Sequence, residues 1–329
     1  MINFLNIPAQ LKPFTIPLIQ IYSGGLFFQY IVINSNGILR SCNLIRTSLK
    51  TMAVVCVLNV GLNIFYVFFT PLGFKGIALA TATASIVGCI INLTRVKRLI
   101  TKSLSFSKVL IKKVAVVGWP MAAVQILWQA GSIILFLIIS ELPENRVEIL
   151  AALTAGLRIE SVIYLPAFAF NMANAVIVGN LLGGNGREEA YRSGMMTALI
   201  GVSVVSCMVL LVVVNARWIA SSLSNNPIVV RECVRYIYIS MISEPFMALG
   251  IILGGGLSGA GDTRSVMTRI AISVWFIRLP LVYLLVVVFG FGAVSVWWFM
   301  NITQLVQCGL LYRRYAKKSW LPAENPAPR

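Results

Sequence analysis

Arg158, Glu160, Glu244 and Arg278 lie inside long apolar runs of this sequence. An ionisable group at membrane depth loses its hydration and is rare unless it faces a polar cavity or another charge. Arg158 and Glu160 stand two residues apart, which at ~100° per residue turns them to different faces of a helix. Each therefore needs a partner on another helix or access to a polar space. Their use is open between a structural interhelical network and a place on a transport path, with interfacial snorkelling as a further reading of Arg158. Glu244 precedes Pro245, whose ring leaves an upstream carbonyl unpaired, so its carboxylate is either a proton-titrating group or an interfacial residue. Arg278 sits two residues before Pro280, well inside its run, where Glu244 or Glu160 is a plausible partner.

Uncharged polar side chains add two stripes. Gln125, Trp128 and Gln129 fall at i, i+3 and i+4 just after Pro120 and share one helix face. Such a stripe lines a cavity, with the indole stacking a flat organic cation, or packs helices through its amides. Asn171 and Asn174 share a face shortly after Pro166, where a bend would free carbonyls for their amides. That favours a structural use.

These residues need membrane-spanning elements to position them. The chain is 58% hydrophobic and 11% charged, without histidine, whereas soluble domains run near one quarter charged. Runs of roughly 20 apolar residues cross a hydrocarbon layer of ~30 Å, and nine are expected, near 14–35, 51–71, 76–94, 114–139, 147–180, 195–216, 236–257, 268–289 and 292–312. The fold class is thus an all-α polytopic membrane protein. The net charge of +17 resides mostly in the connections 36–50, 95–113, 181–194 and 258–269 and after 312. The positive-inside rule makes that side cytoplasmic, with the C-terminus inside. The six cysteines are scattered without metal-ligand or disulfide spacing and are assigned to packing.

An internal repeat orders the spans. Gly254-Gly-Gly-Leu-Ser-Gly-Ala-Gly-Asp-Thr-Arg264 recurs, degenerate, as Asn36-Gly-Ile-Leu-Arg-Ser-Cys-Asn-Leu-Ile-Arg46, about 218 residues earlier. The alignment sets Leu39 on Leu257, Asn43 on Gly261 and Arg46 on Arg264, and Gly73-Phe-Lys-Gly76 answers Gly290-Phe-Gly292. Internal repeats build many secondary transporters, with their binding sites between the halves. Within the second turn, Gly259 and Gly261 permit positive φ and Asp262 can cap the next helix, which makes Arg46, Gly259, Gly261, Asp262 and Arg264 candidate gating or structural residues.

Glu244-Pro-Phe-Met-Ala-Leu with the turn 254–264 resembles the tenth helix and following cytoplasmic turn of the multidrug and toxic compound extrusion (MATE) family. Ala151-Ala-Leu-Thr-Ala-Gly-Leu-Arg-Ile-Glu160, through Pro166 to Val178-Gly-Asn-Leu-Leu-Gly-Gly184, resembles that family's eighth helix, and Asn36-Gly-Ile-Leu-Arg40 with Asn59 and Asn63 its fourth and fifth. The likeness covers about residues 8 to 318 and is nearest the DNA-damage-inducible branch. It implies two lobes of six helices, of which residues 1–98 supply helices four to six of an incomplete N-lobe, 99–113 a cytoplasmic linker and 114–318 the full C-lobe, with 319–329 a disordered tail. The acidic residue which that branch keeps on its first helix has no counterpart here. Gly118-Trp-Pro-Met-Ala-Ala-Val-Gln-Ile-Leu-Trp-Gln129 likewise lacks the carboxylate that another branch carries in its seventh helix.

The implied activity is export of drugs and other organic, often cationic, compounds in exchange for H+ or Na+ at the bacterial inner membrane. No cofactor beyond the coupling ion is implied, and the partners are small organic substrates and the lipid bilayer, not nucleic acid or ATP. No nucleophile elbow or phosphate-binding loop suggests an enzyme. Two alternatives stay open: a lipid-linked oligosaccharide flippase of the same broader architecture, and a truncated fragment that inserts without transporting.

Overall fold

The computed structural model describes residues 12–99, 107–142 and 146–321, and every regular element among them is helical. Residues 100–106 of the expected linker, the turn at Pro143 and the tail beyond 321 lie outside the described residues. Among the described residues seven helices are long and apolar enough to span a membrane, and a bent pair counted as one span makes an eighth. The expected ninth span is the helix Ala293–Ala316, made less apolar by its buried Asn301, Gln304 and Gln307. The chain divides into two compact units, Met1–Phe106 and Ser107–Arg329.

In the first unit, α3 (Lys75–Leu99) packs along both α1 (Lys12–Ser41) and α2 (Ile45–Phe68). Small residues let the backbones close up: Ala78, Ala80, Ala82, Ala84 and Gly88 of α3 are buried. Buried amides tie the helices where apolar surfaces alone give little specificity. Asn92 Nδ2 donates to Ser35 Oγ at 2.9 Å, and Ser48 Oγ donates to Asn36 Oδ1 at 2.8 Å.

The second unit contains α4 (Lys108–Ile139), α5 (Arg146–Gly183), α6 (Arg187–Val214), the short α7 (Ala216–Leu223), α8 (Pro227–Ser240), α9 (Glu244–Gly259), α10 (Thr263–Ala271), α11 (Leu279–Tyr283) and α12 (Ala293–Ala316). Helix α4 starts at Lys108, capped by Ser107 Oγ accepting from the Leu110 N–H at 3.4 Å. Residues 108–113 are therefore helix rather than linker, because nothing in them breaks one. At the centre, α9 packs on α5, α6 and α12. Gly259, expected for its conformational freedom, is helical and instead admits the Ala175 backbone of α5, which a Cβ would strike. The amides of Asn171 and Asn174 donate to the Ile251 and Ile252 carbonyls of α9 at 2.6 and 2.8 Å. They bond across to another helix, not to carbonyls freed by Pro166.

The expected span 236–257 is broken by 56° between α8 and α9. Pro245 has no N–H for the Met241 carbonyl, and the break leaves Glu244 in the first turn of α9. A second irregularity surrounds Arg278. Residues Ile272–Arg278 and Leu284–Val288 are π-helical, with the Leu279 N–H bonded to the Val274 carbonyl. Pro280 removes a regular donor here, and widened turns of this kind recur at functional sites.

The repeat is legible in the backbone of each unit separately. Asn43 has φ 59° and its aligned Gly261 has φ 83°. The Leu44 N–H bonds to the Leu39 carbonyl at 2.8 Å, and the Asp262 N–H to the Leu257 carbonyl at 2.9 Å. Both turns are thus the same left-handed helix stop, in which a six-residue bond satisfies a terminal carbonyl. The second echo holds as well, since Gly73 has φ 52° and Gly290 has φ 67°. Asp262 occupies the cap position of α10 but makes no capping hydrogen bond. Its carboxylate accepts from Arg314 Nε at 2.7 Å, a charged partner that outcompetes a backbone N–H. The first residues of the expected tail are ordered too: Trp320 is buried and its Nε1 donates to the Tyr315 carbonyl at 2.9 Å.

Candidate functional site

The second unit holds two adjoining cavities of opposite character. The smaller, of about 140 Å³, is lined by Glu160, Glu244, Arg278, Tyr236, Ser240, Asn301 and Trp297 among others. Glu160 comes from the middle of α5, Tyr236 from the end of α8, Glu244 from the first turn of α9 and Arg278 from the end of the first π segment. Tyr236 Oη donates to Glu160 Oε1 at 2.6 Å, and its ring meets Trp297 edge-on at 4.8 Å. Glu244 Oε2 and Trp297 Nε1 are buried without a hydrogen-bond partner among the described residues. A carboxylate oxygen left so exposes an acceptor to whatever enters the cavity, whether water, proton or metal cation. The N-terminal end of α9 adds positive potential beside Glu244.

Arg278 is held by neutral partners. Its Nε donates to Thr303 Oγ1 at 2.8 Å and its Nη2 to Gln304 Oε1 at 2.9 Å, and the guanidinium lies 5.6 Å from the centroid of the Trp128 ring. The sequence suggests Glu160 or Glu244 as its partner, and both line the same cavity. Neither is directly ion-paired to it; Thr303 and Gln304 on α12 take two of its five N–H donors instead.

The larger cavity, of about 640 Å³, has the size of pockets that take drug-like molecules. Its walls are Met121, Val124, Gln125 and Trp128 of α4, Tyr164, Leu165, Phe168 and Asn171 of α5, Gly250, Ile251 and Gly254 of α9, and Gln304 and Gln307 of α12, with Ile270 and others. The surface is mainly apolar and aromatic, with amides at intervals. Gln307 Oε1 is buried and unpartnered among the described residues. Trp128, Tyr164 and Gln304 line both cavities and form the wall between them.

Of the residues singled out from sequence, Glu160, Glu244 and Arg278 converge on the small cavity, Gln125 and Asn171 on the large one, and Trp128 on both. Gln129 lines neither. Arg158 is exposed on α5 and also lines neither, as its two-residue offset from the buried Glu160 requires. Asn174 is spent on the α5–α9 contact. Arg264, at the start of α10, lies 6.0 Å from the ring centroid of Trp119, and Arg46 holds the corresponding place at the start of α2 in the first unit. Sequence reasoning missed Tyr164, Tyr236, Trp297, Thr303, Gln304 and Gln307. The signal for part of this set is the polar stripe Asn301, Gln304, Gln307 at three-residue spacing inside an apolar run, buried along one side of α12.

Comparison with known proteins agrees with this architecture. The MatE family profile matches residues 120–284. The chain is 23% identical to the uncharacterized transporter YisQ of Bacillus subtilis, over 98% of this chain and 72% of YisQ. It is 25% identical to the probable multidrug resistance protein NorM of Thermotoga maritima, over 84% of this chain but only 61% of NorM. Its fold matches a MOP superfamily transporter from Pyrococcus furiosus with a TM-score of 0.84 at 16% identity, over 95% of this chain and 71% of that one. The profile covers half of the sequence, including the helices that carry Trp128, Glu160, Glu244 and Arg278, and the chain belongs to the MatE family of membrane transporters.

Proposed function

We propose that this chain serves secondary antiport, in which an organic, often cationic, compound leaves the cell in exchange for a proton or sodium ion. The observation that carries this reading is the shared wall: a charged cavity fit for a small cation adjoins an apolar cavity fit for an organic molecule, and Trp128, Tyr164 and Gln304 belong to both. With both carboxylates and Arg278 ionised, the small cavity carries one net negative charge. One bound proton or sodium ion cancels it. An organic cation in the large cavity is favoured in the first condition and not in the second, so the two cations oppose each other.

The aromatic wall of Trp128, Tyr164 and Phe168 suits flat cations, and amides of Gln125, Gln304 and Gln307 suit polar substituents. On the positive-inside rule the turns at Arg46 and Arg264 and the C-terminus belong on the cytoplasmic side of a bacterial inner membrane. Everted membrane vesicles carrying the protein test the reading: added organic cation is expected to dissipate an imposed proton or sodium gradient. Vesicles in which neither gradient responds to any of a panel of such cations would overturn it.

A further inference from the structure

Arg278 grips two residues that also line the large cavity, Gln304 through a 2.9 Å hydrogen bond and Trp128 through its ring at 5.6 Å. These are the interactions an organic cation would seek there, an aromatic face for its charge and an amide oxygen for its N–H groups. Arg278 makes them although two carboxylates line its own cavity. A guanidinium binds an ionised carboxylate more strongly than an amide or hydroxyl, often through two parallel bonds. The arrangement with neutral partners therefore fits the condition in which the carboxylates are discharged.

We propose that Arg278 is a tethered internal cation that competes with the organic substrate for Trp128 and Gln304, and that the coupling ion decides which of them holds the wall. The inference rests on the antiport reading of the same two cavities. With Glu160 and Glu244 ionised and no coupling ion bound, the guanidinium is drawn to the carboxylates and releases the indole and the carboxamide to substrate. When protons or sodium ions neutralise both carboxylates, Arg278 returns to Gln304, Thr303 and Trp128, and the substrate is displaced. The titratable and charged groups facing Arg278 in its cavity are Glu160 and Tyr164 from α5, Tyr236 from α8 and Glu244 from α9; the lining residues of α4 and α12 include none. The exchange is a side-chain swing at the end of the widened helical segment Ile272–Arg278.

A purely through-space account makes a different forecast. There the carboxylate charges alone set the affinity for an organic cation, and the ion response survives any change at Arg278 or Gln304 that leaves both carboxylates in place. Binding of ethidium, a planar aromatic cation, to the purified full chain separates the two. For the wild type, affinity is expected to fall about tenfold from mildly alkaline to mildly acidic pH, or on adding sodium, within the usual range of coupling between sites. Arg278→Met removes the competitor and Gln304→Met removes an acceptor that holds it at the wall. In both, whatever the affinity itself, its response to acid or sodium is expected to shrink below about twofold.

Gln304→Met changes no charge and preserves side-chain volume, so it keeps the test decisive if Arg278→Met does not fold. A folded variant of either kind with the full wild-type response would overturn the internal-cation mechanism while leaving antiport standing. A wild type that binds ethidium with no response to either ion would also overturn the mechanism. A wild type that binds no ethidium under any of these conditions would instead sink the antiport reading of the large cavity, and this inference with it.

Discussion

The Tyr236 hydroxyl donates to Glu160 Oε1 at 2.6 Å, joining α8 to the middle of α5 inside the second unit. The bond fixes the Glu160 carboxyl at the cavity wall, and Tyr236 is itself buried with its ring against Trp297. Tyr236→Phe keeps the ring packing and removes only the donor. Leaving that buried acceptor without its donor is expected to destabilise the protein by roughly 1–3 kcal/mol, seen as a lower thermal midpoint in detergent. Tyr236→Phe should also weaken the ion response of ethidium binding by loosening Glu160.

The left-handed turns of the two units make a sharper backbone prediction. Gly261 sits at φ 83° and its repeat partner Asn43 at φ 59°, so asparagine is an accepted residue at this stop. Gly261→Asn is expected to change stability little, whereas Gly261→Val should cost about 1–2 kcal/mol because a branched side chain crowds the backbone there. Thermal unfolding of the two variants side by side gives the order.

Gly259 is needed for closeness rather than for φ. A Cβ there meets the backbone of Ala175, and one at Gly255 meets the backbone of Asn171. Gly259→Ala must push α9 from α5, where the Asn171 and Asn174 amides bridge the same helices. Overpacking of this kind costs typically about 1–3 kcal/mol. It should also enlarge the cavity wall, measurable as weaker binding of ethidium even in variants that remain folded.

The C-terminal clasp gives a prediction away from the cavities. Trp320 is buried against Tyr315, and Arg314 holds Asp262 in the α9–α10 turn. Trp320→Ala is expected to cost about 3–5 kcal/mol, although Trp320 falls in the stretch expected to be a disordered tail. A thermal midpoint equal to the wild type would show that the clasp contributes nothing.

The spans, the repeat and the three buried charges were legible because each rests on a local property: apolar length, turn sequence, or the expense of charge at membrane depth. Glu160, Glu244 and Arg278 stood out singly, but their convergence did not, since it depends on how α5, α9 and the π-helical segment pack. Arg278 illustrates the limit. Electrostatics alone sends it to a carboxylate, whereas the structure gives it Thr303 and Gln304, polar residues that look ordinary in sequence. Periodicity gave Gln125 and Trp128 their cavity but included Gln129, one residue beyond its lining. The break before Glu244 was hidden in a continuous apolar run and shows only once Pro245 is read as a missing donor to Met241.

The central claim is that a small cation at Glu160 and Glu244 opposes an organic cation bound beside Trp128. Equilibrium ethidium binding to the wild type and to the Glu160→Gln, Glu244→Gln double variant, across proton and sodium concentrations, tests it most directly. The wild-type dissociation constant is expected to rise with at least one of the two ions, and the double variant, whose cavity has no carboxylate to neutralise, should respond to neither. A wild type indifferent to both ions, or a double variant that responds as the wild type does, would contradict the account.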